Sequence, residues 1–149
     1  MFNIALYQPD IPQNTAAIIR LCSCFGAILE IIEPCGFHID DKRLKKVAMD
    51  YFSKSKIITY KSYESFLKKK KNSRIILMTT KGKKNYNKFH FNKNDTLLFG
   101  RESEGVPRTV HDNSYERLKI PIKKNTRSLN ISMAVAISLA EALRQNSNL

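Results

Sequence analysis

The sequence predicts an α/β domain in which a mainly parallel sheet is flanked by helices. Short apolar runs of strand length alternate with longer segments of helical periodicity along the whole chain, which is typical of parallel sheets. No internal repeat and no change in composition divides the 149 residues, so we expect one domain over residues 1–149. A chain of this length can bury a core that needs no disulfide or metal to stabilise it.

The chain begins with a predicted strand, helix and strand. Residues 2–7 form an apolar run of strand length, and a proline-rich loop follows it. Asn14 or Thr15 is expected to cap a helix that Gly26 ends, because cap side chains accept the free N–H groups of a first turn. Residues 28–32 are predicted to form the second strand.

The next part of the chain is rich in lysine. A helix capped by Asp40 is predicted over residues 40–51, and cations surround most of it. Residues 56–60 are predicted to form a strand, and Ser62 is expected to begin a helix that ends in four lysines, residues 68–71. Charged helix faces are usually only solvated, and lysines also complement a helix C-terminus. These lysines therefore form either a solvated surface or one that faces RNA.

Two predicted buried strands, residues 74–79 and 96–99, enclose an irregular basic segment, residues 83–94. The aromatic side chains of this segment either stack on bases or hold the loop on the core; they are Tyr86, Phe89 and Phe91. The loop of residues 100–107 contains two glycines and leads into a short helix near Pro107. It lacks the Gly-Lys-Ser/Thr ending of the phosphate loops of nucleotide hydrolases.

The C-terminal stretch is the one around which the rest of the chain is organised. A strand is predicted over residues 117–122, and a basic loop follows it. Ser128 and Asn130 are suited to begin a helix over residues 131–143, in which almost every residue is apolar or small. Such a helix must be covered on several sides, either within the domain or by a partner chain. The basic loop before it suits a ligand that contains a carboxylate or phosphate.

The composition favours a polyanionic partner and gives no indication of a membrane segment. Twenty-six Lys and Arg against thirteen Asp and Glu give a formal net charge of +13, which attracts RNA or DNA. The alternative is the Lys, Asn and Ile bias that an AT-rich genome produces. No apolar run approaches the roughly 20 residues of a membrane helix, and the N-terminus does not resemble a signal peptide.

The cysteines and histidines do not indicate a metal site. Cys22 and Cys24 would point to different sides of a helix, which is poor geometry for a shared ion. Three cysteines form no even disulfide framework, so we expect free thiols and a cytoplasmic location. The three histidines are scattered among unlike neighbours, and no metal is predicted.

Three separated segments, residues 14–20, 97–107 and 120–132, resemble in order and spacing the three motifs of the SPOUT (SpoU-type) RNA 2′-O-ribose methyltransferases. Residues 33–44, the pair Asp50-Tyr51 and residues 79–82 are similar to one branch of this family, the minimal enzymes that methylate the wobble cytidine or uridine of tRNA. The resemblance extends over nearly the whole chain.

The resemblance implies a C-terminal trefoil knot, S-adenosylmethionine as methyl donor and an obligate homodimer. Transferred position by position, it places seven residues in the cofactor pocket: Met78, Thr79, Gly100, Glu102, Ile120, Ser128 and Asn130. It places Arg20, helped by Asn14, in the site that reacts with RNA, across the dimer interface.

The chemistry implied for Arg20 has two interpretations. The arginine of this motif is the family's proposed base. A guanidinium group stays protonated in proteins, however, so Arg20 could instead orient the ribose hydroxyl or a phosphate and stabilise the developing oxyanion. The methyl transfer itself is an in-line displacement, for which alignment of the reacting atoms lowers the barrier.

The chain departs from the family pattern at several positions. Ala16 and Ala17 replace Gly-Asn, Arg101 replaces Pro, Met133 replaces Asn and Ala140 replaces Tyr. We expect an active tRNA methyltransferase, since the predicted site residues are all present. Two alternatives remain open, namely a non-catalytic RNA-binding module on the same fold and a ribosomal RNA 2′-O-methyltransferase.

Overall fold

The fold is known from a computed structural model, which describes residues 1–146. The seven strands are β1 Asn3–Tyr7, β2 Ile28–Ile32, β3 Ile57–Tyr60, β4 Ile75–Met78, β5 Lys84–Asn85, β6 Thr96–Phe99 and β7 Glu116–Lys119. The helices are α1 Pro12–Phe25, α2 Lys42–Ala48, α3 Tyr51–Lys54, α4 Tyr63–Lys69, α5 Arg108–Asp112 and α6 Ile131–Asn146, with a 3₁₀ turn at Tyr86–Lys88.

The strands form one sheet in the order β3-β2-β1-β6-β4-β7-β5, and every pairing is parallel. Parallel strands that are covered on both faces have apolar side chains in continuous runs, and all residues of β4 and β6 are buried. This confirms the predicted parallel α/β sheet flanked by helices. The knot implied by the resemblance stays a prediction. The domain predicted over residues 1–149 is described only up to residue 146.

The core lies on both faces of the sheet because successive side chains of a strand point to opposite sides. On one face, Ile4, Leu6 and their neighbours in the other central strands pack against α1, α2 and α6. On the other, Ala5 and Tyr7 belong to a smaller cluster with Phe66 of α4 and Val110 of α5. Among the described helices, none is both long and apolar enough to cross a bilayer.

The start of α1 differs from the prediction. The helix begins at Pro12, two residues before Asn14, and no side chain of its own cap residue, Ile11, binds the first turn. The Glu102 carboxylate accepts instead from the N–H groups of Asp10, at 2.8 Å, and of Ile11, at 3.3 Å. The end of the helix was predicted correctly, since Gly26 adopts a left-handed φ of +66°.

The helix predicted over residues 40–51 is two helices. Asp41 rather than Asp40 caps α2, by accepting from the Arg43 N–H at 2.8 Å. Met49 has a φ of +50°, which a helix cannot contain, and α3 begins after this break.

Some residues of the basic and aromatic segments have structural roles. Phe89 and Phe91 are buried with their ring centroids 5.1 Å apart, so they hold the irregular segment on the core. In the lysine run after α4, Lys70 is buried and its Nζ lies 2.6 Å from a Glu30 carboxylate oxygen.

The strand predicted over residues 117–122 ends at Lys119, so Ile120 begins the following loop.

Candidate functional site

A cavity of about 580 Å³ opens at the carboxyl edge of the sheet, where the loops after β4, β6 and β7 meet. These three strands are neighbours in the sheet although they are distant in the sequence. Open α/β sheets bind ligands at this edge. All seven residues predicted to bind the cofactor line the cavity: Met78, Thr79, Gly100, Glu102, Ile120, Ser128 and Asn130.

The first wall is the turn after β4, which is tied to β7. The Thr79 N–H donates to the Leu118 carbonyl at 2.8 Å, and Thr79 Oγ1 accepts from the Lys81 N–H at 3.2 Å. Gly82 lies against the same strand, where an added Cβ would be 2.5 Å from the Leu118 carbonyl carbon. Only glycine allows this approach, which holds the turn after β4 against the end of β7. Met78 and Thr79 therefore lie close to Ile120, which follows β7.

The second wall is the loop from Gly100 to Gly105. Arg101 and Gly105 exchange two backbone hydrogen bonds of 2.9 and 3.0 Å, which close the loop on itself. A Cβ at Gly100 would lie 2.7 Å from the Gly105 carbonyl carbon, and Gly105 has a φ of +67°. Gly100 is therefore required by the packing of its own loop.

Glu102, Asn14 and Asn130 form a hydrogen-bonded chain that joins three segments. Asn14 Nδ2 lies 3.4 Å from Glu102 Oε1, and Asn130 Nδ2 donates to Asn14 Oδ1 at 3.0 Å. Asn130 Oδ1 in turn accepts from the Ser132 N–H at 2.9 Å and hydroxyl at 2.6 Å, which caps α6 as predicted. Each of the three side chains thus has a structural partner as well as a position on the cavity wall.

Arg101, which departs from the family pattern, ties this loop to the loop before α1. Its guanidinium lies 2.8 Å from Asp10 Oδ1, and the Ser103 hydroxyl donates to Asp10 Oδ2 at 2.6 Å. Partial burial would raise the pKa of Asp10, but the hydrogen bonds from Arg101 and Ser103 outweigh it and lower this pKa below its ordinary value. An ionised Asp10 carboxylate therefore holds the loop before α1 against the loop of residues 100–105, which lines the cavity.

The third wall is the loop between β7 and α6. Residues 121–130 are all exposed, and Asn125 adopts a φ of +72°. Arg127, Ser128 and Leu129 of this loop line the cavity. A ligand seated in the cavity would therefore contact backbone and polar side chains of an exposed segment that contains cations.

The comparisons with known proteins agree with this geometry. A family model described as the SpoU rRNA Methylase family matches residues 1–140. The chain belongs to the SpoU methylase family. A tRNA (cytidine(34)-2′-O)-methyltransferase from Beijerinckia indica is 42% identical over 144 residues, which cover 95% of this chain and 90% of that protein.

Solved structures show the same SpoU fold. A structure from work on the 2-OH methylation of C/U34 on tRNA is 34% identical, with a TM-score of 0.95, and the match covers 98% of this chain and 96% of that one. The SpoU methyltransferase AviRb from Streptomyces viridochromogenes, solved in complex with the cofactor AdoMet, is 20% identical with a TM-score of 0.90. That match covers 97% of this chain and 57% of AviRb.

In this SpoU chain, Arg20 does not line the cavity of its own subunit, whereas Asn14 does. Arg20 is exposed on α1, with its guanidinium over the ring of Tyr51. The structure thus brings the predicted cofactor residues and Asn14 together and leaves Arg20 outside their cavity. The role predicted for Arg20 across a dimer interface stays a prediction.

Several cavity residues of this SpoU chain were not predicted as site residues, among them Lys81 and His111. Burial, with the nearby charges of Lys81 and Arg117, lowers the pKa of His111 below its ordinary value, so its neutral form is favoured. The available signal was positional, since His111 follows the glycine loop by one helical turn, but a lone histidine among unlike neighbours is weak evidence of a site.

Proposed function

We propose that this chain is an S-adenosylmethionine-dependent methyltransferase that acts on the ribose 2′-hydroxyl of the wobble cytidine or uridine of tRNA. The observation that supports this most strongly is the pairing of whole-chain similarity to a tRNA (cytidine(34)-2′-O)-methyltransferase with a cavity lined by all seven expected residues. Fold alone would not support an activity, because one fold hosts many.

The cavity suits the cofactor in size and chemistry. Its volume of about 580 Å³ lies within the range of small-molecule sites. Met78 and Ile120 offer apolar surface for an adenine ring, and Ser128 lies just before the N-terminus of α6, which favours a carboxylate. When bound, S-adenosylmethionine supplies a methyl group that its sulfonium makes electrophilic.

The residues of the chain contribute alignment and charge stabilisation. Holding the ribose oxygen in line with the methyl group converts an encounter in solution into a reaction within one complex. Arg20 has donors and no acceptor, so we assign it the orientation of the ribose hydroxyl and the stabilisation of negative charge on that oxygen, while the hydroxyl proton passes to solvent water. Asn14 lines the cavity between Glu102 and Asn130, which supports our assignment of an assisting role to it.

A homodimer is part of this proposal. The side of α6 away from the core exposes Met133, Ile137 and Ala140, which are spaced so that they share one face. Met133 is 57% exposed and Ile137 36% exposed in a single chain, an apolar strip that a second copy would cover. A partner on α6 would also lie close to α1, whose exposed face includes Arg20.

The remaining parts of the proposal are a cytoplasmic location, one domain over residues 1–149 and a C-terminal knot. The net charge of +13 supports binding to tRNA. We expect tRNA affinity to fall steeply as salt rises from about 50 to 200 mM, since bound cations release counterions from phosphates. An affinity that hardly changed with salt would contradict a basic binding face.

The experiment uses the purified full chain with S-adenosylmethionine and total RNA from a strain that lacks it. Mapping of 2′-O-methyl groups should show a new one at the wobble position of tRNA. The Arg20→Ala variant should bind S-adenosylmethionine normally and lose methylation. Arg108→Ala, which alters another exposed arginine outside the cavity, is the matched control and should remain active.

Two results would replace this proposal with an alternative. The family model is described for rRNA methylases, so methyl groups found only in ribosomal RNA would assign the chain to that substrate. RNA binding with neither cofactor binding nor methylation would assign it to the non-catalytic class.

A further inference from the structure

The flat face of the Arg20 guanidinium lies over the aromatic ring of Tyr51. Its Cζ lies 5.2 Å from the ring centroid of Tyr51, which is within the range of a cation–π contact. Within residues 1–146, no carboxylate oxygen lies within 4.0 Å of Arg20, whereas other arginines bind carboxylates: Arg43, Arg74, Arg101 and Arg144. The N–H groups of Arg20 are therefore free to bind acceptors from outside the subunit.

Tyr51, the first residue of α3, is held in place by contacts with the core and with α1. Its ring is half-buried and packs against the main core cluster. Ser55 Oγ lies 2.6 Å from the Tyr51 carbonyl and 3.2 Å from the carbonyl of Ile19, the residue before Arg20. The hydroxyl of Ser55 thus ties α3 to the turn of α1 that presents Arg20.

The break between α2 and α3 makes α3 a separate helix. Met49, at a φ of +50°, ends α2, and α3 starts two residues later at Tyr51. A non-glycine residue rarely adopts this conformation, so the local sequence does not favour the break by itself. The contacts of α3 with α1 compensate for it, and they place the Tyr51 ring beside Arg20.

We propose that Tyr51 is a positioning residue for Arg20, holding the guanidinium by its face so that every N–H donor stays available to ribose and phosphate oxygens of RNA. A carboxylate would also restrain Arg20, but it would occupy two of those donors. This inference rests on the proposed function, in which Arg20 acts on the substrate ribose.

The consequence concerns the rate of the chemical step more than binding. Without the ring, the long side chain of Arg20 samples more rotamers, and a smaller fraction of bound complexes is aligned for reaction. The cofactor cavity does not include Tyr51, so cofactor affinity should not change.

The test compares three variants in the full chain. Tyr51→Leu should lower kcat for tRNA about tenfold or more, with the KM for tRNA and the Kd for S-adenosylmethionine within about twofold of the unaltered protein. Tyr51→Phe keeps the ring face and should retain kcat. Phe52→Leu is the matched control, since Phe52 also packs on the core from α3, and it should retain kcat at a similar loss of thermal stability.

Two outcomes would overturn the inference. A Tyr51→Leu variant with unaltered kcat would show that the ring does not position Arg20. Equal losses of kcat in Tyr51→Leu and Phe52→Leu would show that only the packing of α3 matters.

A spectroscopic readout separates this inference from the proposed function. The side-chain Nε–Hε signal of Arg20 should show a ring-current shift that Tyr51→Phe keeps and Tyr51→Leu loses. If the unaltered protein shows no methylation, the proposed function fails, and this signal still decides whether the ring holds the guanidinium. An Arg20 signal that is the same in all three proteins would overturn the positioning role whatever the activity.

Discussion

Substitution of Gly100 by alanine tests whether the glycine loop sets the shape of the cofactor cavity. The added Cβ would lie 2.7 Å from the Gly105 carbonyl carbon and 2.8 Å from Gly105 Cα, against 3.4 Å or more for ordinary contact. Both sides of this clash are backbone, so no side chain can rotate to relieve it. The loop must open, and the two hydrogen bonds between Arg101 and Gly105 must lengthen or break.

Overpacking of this kind costs about 1–3 kcal/mol. If the loop is rearranged in the free protein and must be restored for binding, the same amount appears as a loss of about 5- to 150-fold in affinity. We expect calorimetric titration with S-adenosylhomocysteine to show this loss for Gly100→Ala. The midpoint of thermal unfolding should fall by a few degrees.

Gly26→Ala is the control for Gly100→Ala. Unlike Gly100, Gly26 has a left-handed φ, +66°, but its Cβ would meet no atom within 4 Å, and the residue lies outside the cavity. This variant should lose stability of about 1–2 kcal/mol and keep its affinity. Wild-type affinity in Gly100→Ala, or an equal loss in Gly26→Ala, would refute the argument that the closed loop shapes the cavity.

Three further predictions concern stability and assembly. Arg74→Ala removes both hydrogen bonds that Arg74 donates to the buried Asp95 carboxylate, 1% exposed, and leaves, among residues 1–146, only the one from the Asn92 N–H; it should cost about 3 kcal/mol, seen as a fall of about 6–12 °C in the unfolding midpoint. An unchanged midpoint would show that water replaces the arginine. The lowered pKa of His111 means that the unfolded chain binds more protons than the native one as pH falls below about 6.5, so stability should decrease there. His111→Gln should flatten this part of the stability curve measured by urea titration from about pH 7 to 5, and an identical slope would contradict the assignment. Ile137→Lys should convert the proposed dimer to a monomer in sedimentation velocity, whereas Arg108→Lys, on α5 at the other face of the sheet, should not; a dimeric Ile137→Lys would exclude α6 from the interface.

Local rules predicted the elements that depend on nearby residues. Residues 28–32 form the strand expected from their apolar run, Gly26 ends α1, and Asn130 caps α6. For Gly26 and Asn130, the groups that they bind are within a few positions in the sequence, and the apolar run of residues 28–32 is itself a local pattern. The same holds for Ser62, whose side chain caps α4 by accepting from the Ser65 N–H.

The failures have different causes. The start of α1 was predicted two residues too late although Pro12, a residue favoured in a first helical turn, is a local signal, and the Glu102 carboxylate, 92 residues from Asp10, holds the loop before the helix. The break at Met49 depends on the contacts of α3 with α1. The cavity residues were predicted through the family motifs, and His111 was missed because it lies outside them.

The hydrogen bond from Asn130 to Asn14 joins residues 116 positions apart, and α6 starts only after Asn130. During translation, the N-terminal strands emerge from the ribosome long before the segment that completes this bond. A nascent chain therefore has no finished pocket, and ligand capture must await release of nearly the entire polypeptide. Ribosomes stalled late in the message would display a chain that still lacks α6 and therefore cannot retain a ligand in this pocket.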